Sequence, residues 1–439
     1  MKIRLFDVDY RWTAFRNLAG RFALGLTTAL SVISSSYATV ETDASGHLTS
    51  ATELMQFRDL ANQGTEPFMS DASRLISDAS QAWRWGNVSG EFTTMTSGDS
   101  AQCHPLNHAS MADYLLEGAP DVYARVLAYY LTGDTTFADD AKSRILALIS
   151  TYGYTGVDGQ NFSGANQCIL SLAFSIPIWI ESALLLESTD RWSAQEAASF
   201  KHWLANEVYP KVAWASRVRK NNWGAAGSLA SSLIASYVDG TVVELTEIAP
   251  EPRNLTPRAS FSEHNAMQHQ RLGVVWRGDS LCDAYGIQNH GGIPDELRRG
   301  TTGCDGTHLV TGDDSAHAYQ TTHATLLVFH AEALRRLGDL SLTNHSTPNG
   351  AAAIKQSILF VIDNPISQTH SLSWGVSHGA VRVAYWHYND GRLKDAANQA
   401  GSFRGGRFLP YTRITHPAQN SPRVAPPSPP TNLSIQPPG

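Results

Sequence analysis

Apolar side chains recur along most of the chain at the helical period. Tyr123, Val126, Leu127, Tyr130 and Leu131 fall at i, i+3, i+4, i+7 and i+8, the stripe of a helix with one buried face. Thr132-Gly133-Asp134 interrupts it, and a second stripe runs through Phe137, Ala141, Ile145 and Leu148. Gly and Asp at such a break end one helix and open the next. The same plan returns in LLLESTDRWSAQEAASFKHWL (184–204), in EALRRLGDLS (332–341) and in VAYWHYNDGRLKDAANQA (383–400), each read as helix, short polar turn, helix. Alternation with a period of two is scarce. Repeated helical hairpins around a shared interior predict an all-α fold, either an α/α toroid or an α-solenoid. The hairpins differ in length and keep no strict period, which favours an incomplete α/α toroid (barrel) of helical hairpins.

The two ends break the pattern. Lys2, Arg4, Arg11, Arg16 and Arg21 precede a short apolar run, Phe22 to Ile33, and Ser36-Tyr37-Ala38 is a small-residue exit. This reads as a signal peptide over residues 1–38. The apolar run is broken by Thr and Ser and is shorter than the roughly 20 residues of a membrane span. No later stretch reads as long enough to span, so the expectation is a soluble, secreted or periplasmic protein. Residues 39–416 read as the helical domain. Residues 417–439 carry a dense run of prolines and read as a disordered tail.

Charge narrows the partners. The formal net charge is −7. Removing the leader, with its five basic and two acidic side chains, takes the remainder near −10. That argues against nucleic acid as a partner, and any acidic ligand must be held by local positive groups. The four cysteines, Cys103, Cys168, Cys282 and Cys304, suit disulfides in an oxidising compartment. Three pairings are possible; Cys282–Cys304 with Cys103–Cys168 is favoured, because the first would clip the polar loop between them. No CxxC or HxxxC spacing suggests zinc, and neither a metal nor a cofactor is expected.

Three stretches are unusually polar. SRVRKNNWGAAGS (216–228) sets Arg217, Arg219 and Lys220 before Asn221-Asn222-Trp223-Gly224 and a small-residue helix. Read plainly it is a basic loop with an Asn helix cap. SFSEHNAMQHQRLG (260–273) carries His264 and Gln268 on one helical face and His269 on another. DELRRGTTGCDGTHLVTGDDSAHAYQTTH (295–323) holds Arg298 and Arg299 near its start, and Tyr319 and His323 one helical turn apart at its end. A buried Tyr and His both need polar partners, so such a stripe suits a cleft wall better than a dry core.

GIPDELRRG, followed by a Tyr-bearing helix ending in FHAEALRRLGD and preceded by NNWG, resembles the alginate-lyase-type polysaccharide lyases over roughly residues 101–409. The resemblance implies an α/α toroid that cleaves a 4-linked uronate polymer, alginate, polymannuronate or glucuronan, by β-elimination. It places the second Asn of the family's pair on Asn222, the Arg before Gly on Arg299 and the catalytic Tyr on Tyr319. The family's His after the Asn pair is Trp223 here, and the gap from Arg299 to Tyr319 is long, which marks a divergent branch. The missing His role falls to His264 first and His323 second. Tyr319 is then base and acid, Arg299 lowers its pKa, and Asn222 holds the uronate carboxylate. Arg217, Arg219, Lys220, Asn221 and Arg298 would grip the anionic polysaccharide, and Trp223 would stack on a sugar face. A monomer is expected. Two other readings stay open: a glycoside hydrolase using carboxylates among Asp295, Glu296, Asp313 and Asp314, and a secreted glycan-binding protein without turnover.

Overall fold

The structure is a computed structural model that describes residues 46–82, 108–151, 167–248, 250–273, 286–297, 314–364, 375–399, 403–404 and 408–417. The expected leader and all of the tail but Pro417 lie outside these residues, as do Cys103, Cys282 and Cys304; Cys168 is described by its backbone alone. The expected disulfides therefore fall outside the described side chains.

Hairpins follow the hydrophobic stripes. Helix α1 (Ala51–Asn62) opens with a capping box in which Ser50 and Glu53 satisfy each other's backbone N–H groups. It leads into α2 (Phe68–Ala79). The stripes at 123–131 and 137–148 fall on α3 (His108–Thr132) and α4 (Thr135–Thr151). Gly133 takes a positive φ of 71° at the turn between them, and its N–H donates to Tyr129 O at 2.7 Å. Next come α5 (Gln167–Glu187) and α6 (Ala194–Trp203), the latter opened by a Ser193/Glu196 capping box. A π-helical turn, Leu204–Val208, joins α6 to α7 (Tyr209–Val218). After α8 (Asn222–Val238) a two-stranded antiparallel hairpin, β1 (Leu245–Glu247) and β2 (Arg253–Leu255), returns the chain to α9 (Pro257–Leu272).

The short α10 (Pro294–Leu297) precedes α11 (Asp314–Arg336). Helices α12 (Ala353–Asp363), α13 (Gly375–Tyr388), α14 (Gly391–Asn398) and α15 (Thr412–Thr415) complete the described chain. Asn389, at positive φ, and the Asp390 cap make the expected turn between α13 and α14. The expected hairpin at 332–341 is corrected: α11 ends there, but Leu340–His345 forms turns and the next helix begins only at Ala353.

Helix α8 is the centre of the packing, and it touches α5, α7, α9 and α11. Nearly every residue from Gly224 to Val238 is buried, which is why Gly, Ala and Ser crowd that stretch. Gly227 shows the closeness: a Cβ there would lie 2.4 Å from Ser216 N and 2.6 Å from Val212 O, both backbone atoms of α7. At the other side α1 and α2 meet α15, and Arg336 of α11 pairs with Glu53 of α1 at 2.8 Å.

One expectation about membranes is corrected here. Ile169–Glu187 is a 19-residue stretch long and apolar enough to cross a membrane by length and composition. It is a core helix: 89% of its most apolar window is buried inside the protein, against α3, α8 and their neighbours.

Candidate active site

Two walls meet near the N-terminus of α8. The first is the α7–α8 turn. Asn221 caps α8 by accepting the Trp223 N–H at 3.1 Å. Gly224 lies against the turn so closely that a Cβ would sit 2.0 Å from Arg219 O. Arg271 of α9 braces the same turn. Its guanidinium donates to Ser228 Oγ at 2.7 Å, to Arg219 O at 3.1 Å and to Ser216 O. A cation on these last carbonyls of α7 complements the negative end of that helix. Burial lowers the Arg271 pKa to about 9. Arg219 itself stacks between Trp214 and Trp223, its Cζ 5.4 Å from each ring centroid. Lys220 is exposed, and Asn222 is buried.

The second wall is α10 with α11. Glu296 is fully buried, and its Oε1 lies 2.8 Å from His323 Nδ1. The same oxygen accepts the backbone N–H of Asn222. One carboxylate oxygen therefore ties the start of α8 to the side of α11. Asn222 Oδ1 and His323 Nε2 are buried and have no hydrogen-bond partner among the described residues. Tyr319 sits one turn before His323 on α11 and is 37% exposed, whereas His323 is 1% exposed. The stripe thus runs from an open end to a closed floor.

The structure brings Asn222 and His323 together through Glu296, and Tyr319 lies one helical turn from His323 on α11. Arg298 and Arg299 follow Leu297 directly and lie outside the described residues, as does Asp313. Two other candidates are engaged elsewhere. Arg217 is bound by Glu247, at 2.8 Å from Nη2 to Oε1, and by Glu263 at 2.9 Å, and Arg253 shares both carboxylates. Its charge is spent inside the protein. His264 has both ring nitrogens occupied: Nδ1 lies 2.8 Å from Ser216 Oγ, and Nε2 lies 3.1 Å from Tyr209 Oη and 3.3 Å from Glu247 Oε1. Burial lowers its pKa. Of the two histidines, His323 is the one with a ring nitrogen still open.

In the sequence Glu296 stands out only as a candidate carboxylate for a glycoside hydrolase, and Arg271 does not stand out at all. The signal for Glu296 was faint, a carboxylate held between Ile293 and Leu297 in a four-residue helix just ahead of two arginines.

The architecture has relatives among solved structures. An alginate lyase from Bacteroides ovatus superposes with a TM-score of 0.58 at 15% identity, covering 85% of this chain and 99% of that one. The fold is the alginate-lyase fold. An alginate lyase from a Sphingomonas species matches with a TM-score of 0.51 at 12% identity, covering 79% of this chain and 91% of that one. No protein-family profile matches the sequence, and no curated protein matches it either. The all-α, incomplete α/α toroid expected from the helical hairpins is borne out, and in this alginate-lyase fold the two site walls are the α7–α8 turn and α10 with α11.

Proposed function

We propose that the protein is an exported polysaccharide lyase that cleaves a 4-linked uronate polymer by β-elimination. The observation that carries this reading is that Glu296 ties Asn222, at the start of α8, to His323 of α11, with Tyr319 one helical turn from His323, on a toroid that two solved alginate lyases share. The C5 proton of a uronate is barely acidic while the neighbouring carboxylate keeps its charge. In this reading the Asn222 amide and the Nε2–H of a His323 ring that carries a proton on both nitrogens donate to that carboxylate and let charge spread into it as C5–H breaks. Tyr319 takes the proton. The electron pair from C5–H forms the C4=C5 double bond as C4–O4 breaks, and the proton on Tyr319 passes to O4. Arg299 is assigned the task of favouring the phenolate, as a permanent cation two residues beyond α10 in sequence. His323 takes the role in preference to His264, whose nitrogens are occupied.

Arg219 is the subsite cation for a neighbouring uronate, held flat between Trp214 and Trp223, with Lys220 beside it in sequence. Arg217 is left out of the grip because Glu247 and Glu263 neutralise it. A glycoside hydrolase would need two carboxylates across the cleft, and Glu296 is committed instead to a backbone N–H and a ring nitrogen.

The test is ultraviolet absorbance of the C4=C5 product with alginate, polymannuronate, polyguluronate and glucuronan. Absorbance should rise on at least one of them, should fall with added salt as the local cations are screened, and should not rise on a neutral β-glucan. Reducing ends released without new absorbance would make the protein a hydrolase, and binding without either would make it a glycan-binding protein.

A further inference from the structure

We infer that Glu296 is the positioning residue of this site, and that its role is to keep a proton on His323 Nδ1 so that all exchange at that ring takes place at Nε2. The inference rests on the lyase reading for its kinetic consequence, though not for its geometry.

Three observations converge. Glu296 Oε1 is 2.8 Å from His323 Nδ1, with both side chains essentially excluded from solvent. A carboxylate oxygen accepts, so Nδ1 carries the hydrogen. Which nitrogen of a histidine is protonated is set by the bond the other one makes. With Nδ1–H fixed, any second hydrogen on the ring sits on Nε2, which is buried and has no hydrogen-bond partner among the described residues. The same oxygen also accepts the Asn222 N–H. Glu296 therefore fixes the ring on α11 and the first residue of α8 against each other, so the two groups assigned to the uronate carboxylate keep their spacing. Losing the bond would free both at once.

The residue comes from neither wall's long helix. Pro294–Leu297 is a four-residue turn of helix, and Ile293 N donates to Gln320 Oε1 of α11 at 2.8 Å. Gln320 Nε2 in turn donates to Gly291 O at 3.2 Å and Ser357 Oγ at 3.1 Å. The bonds to Ile293 and Gly291 anchor the chain just before the turn on α11, which holds the carboxylate at a fixed height along that helix. A group so placed acts on substrate through His323 and Asn222.

The experiment reads the ring directly. In ¹⁵N-labelled full-length protein at a pH where His323 is neutral, its nitrogens should report the Nδ1–H form, with Nε2 unprotonated. Glu296→Gln can still accept both hydrogens through its amide oxygen, so it should keep the Nδ1–H form and most of the turnover. Glu296→Ala should lose that form, and kcat should fall by about 10²-fold or more, the scale of losing one donor to developing negative charge, while KM changes little. Glu296→Asp, one methylene shorter, guards against an alanine variant that does not fold. Turnover that tracks the ring form across the folded variants supports the inference. A wild-type ring in the Nε2–H form overturns it. So does a folded variant that keeps the Nδ1–H form yet loses turnover, because Glu296 would then act on substrate itself. If the wild type yields no unsaturated product from any uronate polymer, the lyase reading falls, while the ring spectra still decide whether Glu296 holds His323.

Discussion

Tyr319 and His323 share one stripe of α11 but live in different media, one 37% exposed and the other closed off. That contrast suits a phenol that meets substrate and an imidazole that holds it. Tyr319→Phe removes a single oxygen from a partly exposed ring, so the melting temperature should hardly move. Turnover of a uronate polymer should fall by about 10²–10⁴-fold, the usual worth of a positioned proton-transfer group. Absorbance kinetics and a thermal melt on the same preparation check both halves. Near-normal turnover in the folded variant would move the base elsewhere. Tyr114 is a poor substitute, since it is buried, its hydroxyl donates to Arg144 O at 3.1 Å, and burial pushes its phenol up. At this scale the sequence was half legible. Asn222 and His323 stood out as polar residues on otherwise apolar or small-residue helices. The fate of Arg217 did not, because its neutralising carboxylates come from 30 and 46 residues away in the chain. Glu296 reaches Asn222 across 74 residues, a contact that no local pattern encodes.

Helices were legible because their signal is local: a stripe at 3.6 residues, a capping box, a glycine at the break. Their mutual contacts follow from side-chain size, and α8 is the clearest case. Its glycines let α7 approach to backbone contact. Gly227→Ala places a methyl group against Ser216 N and Val212 O, neither of which is the movable end of a side chain. Overpacking of this kind costs about 1–3 kcal/mol, and in a large domain each kcal/mol lowers the melting temperature by roughly 2–4 °C. The α7–α8 turn should shift with it, so kcat should fall as well. A Gly227→Ala protein that melts with the wild type would show that the two helices separate at little cost. The loop after Gly338 was misread for the opposite reason. Its turn residues are followed by a second set, Thr343 to Asn349, and the chain runs 16 residues from α11 to α12 without another helix.

Across the whole molecule, buried titratable groups set an acid limit. Burial, with the nearby Arg336 charge, lowers the His47 pKa to about 4, and burial, with neighbouring cations, lowers that of His330 to about 3. Each stabilises the fold above the unfolded value near 6.5 and loses that contribution as pH falls through its folded value. Glu181 runs the other way. Burial raises it to about 7, partly offset by N–H groups of Leu48 and His47, so its contribution is present below the unfolded value near 4.5 and is lost as pH rises through 7. Between pH 6.5 and 4.5 His47 and His330 lose stability on acidification while Glu181 gains, and His264, His269, His345 and His416, whose values burial also lowers, add to the loss. Below 4.5 Glu181 no longer compensates. Burial alone would raise Glu332, but the Arg336 charge and bonds from Arg335, His387 and His416 hold it well below the usual carboxylate range, so it too begins to cost stability on protonation. Thermal melts from pH 7 to 4 should therefore fall gently and then steeply. A flat profile would mean that these groups meet water in the folded state.

Helix α11 carries His323 near its middle and, at its C-terminal end, Arg336 clasped to Glu332 and Glu53. Thirteen residues separate the two, about 20 Å of helix. A rod of that length converts angle into distance: a tilt of about 3° about the clasp displaces the imidazole by roughly 1 Å, enough to cost about 10²-fold in a reaction that depends on alignment. In the proposed reaction the ion pairs among Glu53, Glu332 and Arg336 would thus set the angular tolerance of the chemistry from the C-terminal end of the same helix.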